Sequence, residues 1–497
     1  MKPISKMIKY RILVLLSLLW NQTVFLNAQV FHGNVVVDGF TDEWSGCLNT
    51  LEDATEDGNS LDMKSFSVTN DDRYLYIRLQ FASPIHLGHA NSLYLELDTD
   101  NDPQTGYRVN GIGAELGWHF GGRYGYFKLN SQAEFVSHGD IEFVYLPSTS
   151  AEEYEMAISL HAKVIQNEKL FRGDTVAILF WEKQNEGDLM PDAGKVYKYV
   201  LQKDSAPKFS SLVPERFDPE ALRLMTWNVF NDGLTDTIRQ PVFEKVFKTL
   251  NPDVIVLNEC WNSGPDQLAP LFNRWIPWKD QKWNVKKLGE GNVIVSKYEI
   301  LEEYEIYKNH NISAFLLKTG THPEDRILVI NCHLSCCDNE SDRIDETQAL
   351  MSFLKADFTI LRNGNYQLKH PVIMAGDFNL VDTHEPYINL TTGVLQPMLE
   401  AERKSSPWFA DLRPRQTDRP MAYTWRDYSK IFSPSRLDYI FYTPDYLRPV
   451  HSFVLTLYPM PEYRLKKYGL QRTDLRTCSD HLPLVADFRF ITTPKKK

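Results

Sequence analysis

No apolar run among the 497 residues reaches the roughly 20 residues that a membrane-spanning helix needs, so no transmembrane segment is expected. The longest run, residues 12–20, follows Lys2, Lys6, Lys9 and Arg11 and precedes the small residue Ala28. Export leaders take that order. Residues 1–28 are therefore read as a signal peptide and the mature protein as secreted or periplasmic. No cysteine follows the run before Cys47, which argues against a lipid-anchored start. Cysteine is scarce throughout: only Cys47, Cys260, Cys332, Cys336, Cys337 and Cys478 occur. They permit disulfides without deciding the pairing, and near Cys332 the C-x2-C spacing of a structural zinc site is missing. No serine or cysteine nucleophile elbow stands near a candidate histidine, which disfavours covalent hydrolase chemistry.

Excess positive charge is missing as well. Residues 29–220 hold 15 Lys+Arg against 31 Asp+Glu, and residues from 221 onward hold 35 against 34. The front half thus lacks the clustered cations that replace counterions along a nucleic-acid backbone. The neutral back half can still carry a local basic cleft.

What is present divides in two, because 497 residues, 43% of them hydrophobic, exceed what one core accommodates. Residues 29–203 show short alternating runs broken by turns: Leu75, Ile77, Leu79 and Phe81, then Leu93, Leu95 and Leu97, then Met156, Ile158 and Leu160. This is the pattern of an all-β antiparallel sandwich. Asp98, Asp100 and Asp102 alternate in a tight loop that suits a structural Ca²⁺ or a solvated turn. Pro103 rules out the helical calcium loop. Residues 204–220, with three prolines, read as a linker.

The start of the front half, Val36-Val37-Asp38-Gly39, then Asp42-Glu43-Trp44 and an Asp-rich turn before Tyr74-Leu75-Tyr76, resembles family-nine-type carbohydrate-binding modules. The resemblance implies a glycan partner on an aromatic platform, with Trp44, Trp118 or Trp181 as nominees. Against this stands the tendency of such rings to fill the core.

Residues 221–492 read as α/β. Strands are expected at 222–229, 253–257, 327–334 and 372–375. A helix is expected through Ile238, Val242, Val246 and Leu250, and another is capped by Ser341. Six strand ends carry polar residues: Thr226-Trp227-Asn228, Asn258-Glu259, Asn331-Cys332-His333-Leu334, Gly376-Asp377-Phe378-Asn379, Arg436-Leu437-Asp438-Tyr439 and Ser479-Asp480-His481. Each alone is an ordinary turn or cap. Together they hold what phosphoester hydrolysis demands: oxygen ligands for a hard cation, and histidines beside carboxylates to move protons.

This ordered set resembles the endonuclease/exonuclease/phosphatase superfamily. The resemblance implies a four-layer α/β/β/α sandwich, Mg²⁺ or Mn²⁺ as cofactor, and a phosphodiester or phosphomonoester substrate, including DNA. It implies Glu259 as principal metal ligand, with Asn228 beside it and Asp480 assisting. Asp377 would orient or deprotonate water, and Asn379 would hold a phosphoryl oxygen. His481 would pair with Asp438, and His333 would be a second histidine paired with Glu290. Arg343 would touch phosphate. Where the family commonly has Gln before the metal-binding Glu, this chain has Asn258. A nuclease is the leading reading, on Arg413, Arg415, Arg419 and Arg426. A lipid phosphodiesterase would use Trp261, Trp275, Trp278 and Trp283, and a small-molecule phosphatase or a non-catalytic glycan-binding protein are the alternatives.

Overall fold

The computed structural model describes residues 34–55, 61–88, 91–164, 167–184, 187–203, 209–279, 281–307, 312–320, 322, 325–362, 365–392 and 409–491. The expected leader, 1–28, lies outside them.

The front half is a sandwich of two antiparallel sheets. One has five strands in the order Thr50–Glu52, Met63–Asn70, Tyr74–His86, Ser150–Ser159, Val144–Leu146. The other is built around Thr175–Glu182, Leu93–Asp98, Leu116–His119 and Tyr124–Leu129. Their inward faces supply one core containing Leu75, Ile77, Leu79, Leu93, Leu95, Leu97 and Met156. This is the period-two set expected of strands. The opposite face of Tyr74–His86 is not left to solvent. Tyr74 and Tyr76 join Val37, Trp44, Val144, Leu146, Met421 and Tyr423 in a second cluster that includes back-half residues. A parallel bridge pairs Val37 with Met421, and the Val37 and Ala422 amides donate to Pro420 O at 3.0 Å and Val37 O at 2.9 Å. Side chains of this size contribute roughly 1.5–3 kcal/mol each when buried, so the contact continues the core across both halves.

His138 sits in this contact. It is 2% exposed, and its Nε2 lies 3.3 Å from Lys430 O. Burial, assisted by Arg426, lowers its pKa from 6.5 to about 4, so the folded protein holds it neutral while the unfolded chain takes up a proton below 6.5. Stability from this residue is complete above pH 6.5. It should fall as the pH drops toward 4, by roughly 3 kcal/mol in all. A His138→Gln variant should lose that part of the acid sensitivity in urea melts at pH 7 and pH 5. An unchanged difference between the two pH values would refute the assignment.

The back half stacks two six-stranded sheets. The first runs Asn284–Lys287, Val293–Ser296, Val254–Asn258, Leu222–Asn228, Leu484–Phe490, Leu447–Val454. The second runs Glu299–Tyr307, Ile312–Lys318, Arg326–His333, Val372–Asp377, Asp438–Tyr442, Ala410–Asp411. Leu224, Val254 and Val256 of the first meet Phe315, Val329 and Ile373 of the second between the sheets. The alternate residues Met225, Ile255 and Leu257 face outward to helices Gln240–Leu250 and Pro265–Trp275. Helices Glu340–Asp357 and Glu385–Thr392 cover the other side. The result is the α/β/β/α order of layers. Strands covered on both faces read as continuous apolar runs, which is why the sequence shows them without showing which face points inward.

Local boundaries depart from the sequence pattern in two places. Ile238 precedes its helix and is 86% exposed, because Pro241 is accommodated in the helix's first turn. Ser341 lies inside the helix it was expected to cap, behind Asn339 and Glu340. The described part of the expected linker, 209–220, is strapped to the back half. Arg223 donates to Pro214 O at 2.7 Å, Arg464 to Leu212 O at 2.6 Å, and Arg216 pairs with Asp253 at 2.7 Å.

Candidate active site

The polar strand ends converge because register forces them together. Asn228 and Asn258 are partners in a parallel pair, His333 and Asp377 in another, and Asp377 faces Asp438 across an antiparallel pair. The two sheets are joined at this end by three fully buried asparagines. Asn258 Nδ2 donates to Asn292 Oδ1 at 2.9 Å and Asn331 Oδ1 at 2.8 Å, Asn331 Nδ2 to Leu257 O at 3.0 Å, and the Asp377 amide to Asn258 Oδ1 at 3.0 Å. A buried amide is costly unless satisfied, and this one is satisfied across both sheets. The shorter Asn258 therefore positions Asp377 directly. Gly376, at φ +142°, lies so close to the neighbouring strand that a Cβ would stand 1.9 Å from Cys332 O; only glycine permits that approach.

Asn228 donates through Nδ2 to Glu259 Oε1 at 2.9 Å and to Asp377 Oδ2 at 3.0 Å, and its Oδ1 accepts from the Phe230 amide at 3.0 Å. Glu259 stands in the left-handed region at φ +59°, just beyond its strand, and its Oε2 accepts from Asn231 N at 2.8 Å. Asn379, also left-handed at φ +51°, donates through its backbone amide to Asp377 Oδ1 at 3.1 Å and through Nδ2 to Leu334 O at 2.9 Å. His481 Nδ1 lies 2.8 Å from Asp438 Oδ2, and its Nε2 lies 3.6 Å from Asp377 Oδ2. Burial opposes charge on this imidazole, but Asp438 and Asp377 override it and push the pKa up to about 10. Burial likewise lifts the Asp377 carboxyl above its ordinary range, against the pull of His481. The loop carrying His481 is held by Trp227 Nε1 to His481 O at 2.9 Å and Ser479 Oγ to Asn228 O at 2.8 Å.

Glu259, His333, Asp377, Asn379, Asp480 and His481 all line one cavity of about 1030 Å³. Asp438 stands behind it, fully buried. His333 Nδ1 is buried without a hydrogen-bond partner among the described residues, and its Nε2 lies 3.8 Å from Asp377. Glu290 is exposed on the bend before Val293–Ser296. Arg343 lines the cavity, but its Nη1 donates to Ser335 O at 2.9 Å and Cys337 O at 3.0 Å. It holds the loop after His333 together with Glu346, which accepts from the Ser335 amide at 2.9 Å.

Three contributors were missed. Trp425 Nε1 donates to Asp480 Oδ2 at 2.9 Å; Asn292 completes the asparagine network; and the front sandwich supplies His86, Arg123, Thr149 and Ser150 to the cavity wall. Asn292 directly before the apolar run Val293-Ile294-Val295 was the one sequence signal for any of them.

Other nominees fall elsewhere. Trp44 and Trp118 are buried in cores, the Trp44 indole donating to Glu155 Oε1 at 2.8 Å, so neither is a glycan platform. Trp181 is half-buried beside Tyr94, ring centroids 6.0 Å apart. Trp275 and Trp283 are also buried, while Trp261 leans on His333 at 5.5 Å. In the acidic loop, Asp98 and Asp100 are joined by Glu115, ligand atoms within 4.8 Å of one another. Asp102 instead accepts from the Gln104 amide at 2.9 Å, and Arg172 pairs with Asp100. All six cysteines are free thiols.

The Endonuclease/Exonuclease/phosphatase family model matches residues 225–481. No curated protein sequence matches the chain. Similar solved structures include the human Nocturnin catalytic domain with bound sulfate anion (20% identity, 57% of this chain and 97% of that one, TM-score 0.36). A family protein from Leptotrichia buccalis C-1013-b has 15% identity over 54% of this chain and 100% of that one, TM-score 0.36. Sphingomyelinase C from Streptomyces griseocarneus has 17% identity over 54% and 99%, TM-score 0.34.

Proposed function

The chain belongs to the endonuclease/exonuclease/phosphatase family, whose members are phosphoesterases, and we propose that it is an exported, divalent-metal-dependent enzyme that cleaves phosphodiester bonds as a nuclease. The observation that carries this reading is the convergence of Asn228, Glu259, Asp377, Asn379 and His481 within mutual hydrogen-bonding reach or on one cavity wall, with Asp438 behind His481. In this reading residues 204–220 divide the sandwich from the catalytic body.

The donor set fits a hard cation. Asp480 Oδ1 is a buried carboxylate oxygen without a hydrogen-bond partner among the described residues, and Glu259 lines the same cavity. Glu259 and Asp480 would hold Mg²⁺ or Mn²⁺, with Asn228 orienting Glu259. When bound, the ion screens the phosphoryl charge. Asp377, held by Asn228 and the Asn379 amide, orients the attacking water and takes its proton. Asn379 keeps one amide hydrogen on Leu334 O and offers the other to a phosphoryl oxygen. His481, fixed by Asp438, presents Nε2 to the phosphoryl group and stabilises the charge that develops there. His333 lines the same cavity and is the second histidine of this reading, with Glu290 as its expected carboxylate.

A second reading, a phosphatase of small phosphoesters, is favoured by the sandwich wall, which narrows the cavity on one side and suits a single strand or a small molecule better than a duplex. Burial of Trp275 and Trp283 weighs against a lipid-facing surface.

The test is hydrolysis by the mature protein of bis(p-nitrophenyl) phosphate, single-stranded and duplex DNA, RNA and sphingomyelin. With chelator, turnover should fall at least about 100-fold and return on adding Mg²⁺ or Mn²⁺. Full activity in chelator would refute metal dependence, and no turnover of any substrate would refute the enzyme reading.

A further inference from the structure

Beside the catalytic cavity lies another, of about 550 Å³, lined by Arg239, Arg419, Arg426, Arg472 and Arg476. Among the described residues only Asp427 and Asp480 oppose them on its wall. Two of the arginines are committed to the fold: Arg239 donates to Phe230 O, Asn231 O and Cys478 O, and Arg472 to Tyr458 O and Met460 O. The other three have capacity left. Arg419 is 4% exposed, pairs with Glu142 at 3.0 Å and donates to Tyr423 Oη at 3.0 Å, yet its buried Nε has no hydrogen-bond partner among the described residues. Arg426 Nε is orphaned in the same way. Arg426 and Arg476 hold their guanidiniums over the Tyr428 ring, at 4.1 Å and 4.0 Å from its centroid. Burial would raise the Tyr423 hydroxyl, but Arg419 and Arg426 pull it below its ordinary value.

The two cavities are separated by one extended segment. Trp425 pairs with His481 in an antiparallel bridge, the Arg426 amide donates to Asp480 O at 2.9 Å, and successive side chains of extended backbone point to opposite sides. Trp425 accordingly lines the catalytic cavity and Arg426 the arginine cavity, while Asp480 borders both. Guanidinium groups match phosphate oxygens in geometry and charge.

We propose that the arginine cavity is a second phosphate-binding site, which takes a non-scissile phosphate of the substrate whose scissile phosphate occupies the catalytic cavity. The inference rests on the phosphoesterase reading and narrows it to substrates with at least two phosphates: the next phosphodiester of a nucleic-acid strand, or a second phosphate on a small molecule.

The test compares the mature protein with an Arg426→Ala, Arg476→Ala double variant, both residues being outside the buried core. Pyrophosphate binding is measured by calorimetry in chelator. kcat/KM is measured with Mg²⁺ on bis(p-nitrophenyl) phosphate, an oligothymidylate and an inositol trisphosphate. The double variant should bind pyrophosphate at least about tenfold more weakly and lose roughly 10- to 100-fold in kcat/KM, mostly through KM, on one of the two multiply phosphorylated substrates. It should match the parent within about twofold on bis(p-nitrophenyl) phosphate. Selective loss on oligothymidylate identifies the strand as the source of the phosphate, and selective loss on the inositol substrate the small molecule. Unchanged pyrophosphate affinity, or an equal loss on all substrates, overturns the proposal. If the parent turns over nothing, the phosphoesterase reading fails, and the calorimetry still decides whether the cavity binds phosphate.

Discussion

Replacing His481 with alanine is expected to lower kcat by about 10²- to 10³-fold on bis(p-nitrophenyl) phosphate, the range that removing one preorganised charge-stabilising group costs. The physical reason is the chain Asp438, His481, Asp377: Nδ1 lies 2.8 Å from Asp438 and Nε2 3.6 Å from Asp377, so the ring has one orientation and two carboxylates favour its charged form. Asp438→Asn keeps the shape but removes the charge that fixes the ring, and should cost a similar factor. Groups that act as a unit are not additive, so the double variant should be no slower than about threefold below the worse single one. Steady-state kinetics decides it. A His481→Ala enzyme within tenfold of the parent, or strictly multiplicative losses in the double variant, would remove His481 from the chemistry.

Arg223→Ala should be the most destabilising single change away from the site. The Arg223 and Asp487 side chains are each 1% exposed and form a two-point pair, Nε to Oδ1 at 2.6 Å and Nη2 to Oδ2 at 2.7 Å. The remaining Nη1 donates to Pro214 O and Leu250 O at 2.7 and 2.8 Å. Removing the arginine leaves a buried carboxylate and two carbonyls without partners, a loss of about 3–5 kcal/mol, or roughly 10 °C in Tm for a body of this size. Arg223→Met with Asp487→Leu should recover most of it, since no charge is then stranded. Calorimetric melts of the three proteins test this, and a single variant within about 2 °C of the parent would contradict it. The same pair explains why residues 209–220 pack on the back half although their prolines read as a spacer.

Much of the candidate residue set that lines the cavity was legible because phosphoester chemistry selects residue types that strand propensity would not. Asn228, Glu259, His333, Asp377 and Asp480 interrupt apolar runs at strand ends, and a polar side chain there needs a partner or a job. The β character of the front half was legible for the same reason that the pattern exists: alternation has period two when a sheet has one core face. Residue roles that depend on aim were not legible. Arg343 carries a suitable charge and lines the cavity, yet its guanidinium also reaches the carbonyls of Ser335 and Cys337, which no pattern in the chain announces. Tryptophan is equally ambiguous, since its area favours burial and its N–H favours a partner; Trp44 found both inside the fold, at Glu155.

By itself the sequence determined the two-part organisation, four strands and two helices of the back half, and the residues available for phosphoester chemistry, because these depend on local periodicity and on side-chain type. Only the tertiary structure decided which of those residues meet, that Asn258 links two sheets through Asn292 and Asn331, that the front sandwich walls the cavity, and that Arg419, Arg426 and Arg476 gather around one neighbouring space. Such contacts join residues tens to hundreds of positions apart. Their partners are chosen by sheet register and by the need to satisfy buried polar groups, and neither is written in any short stretch of chain.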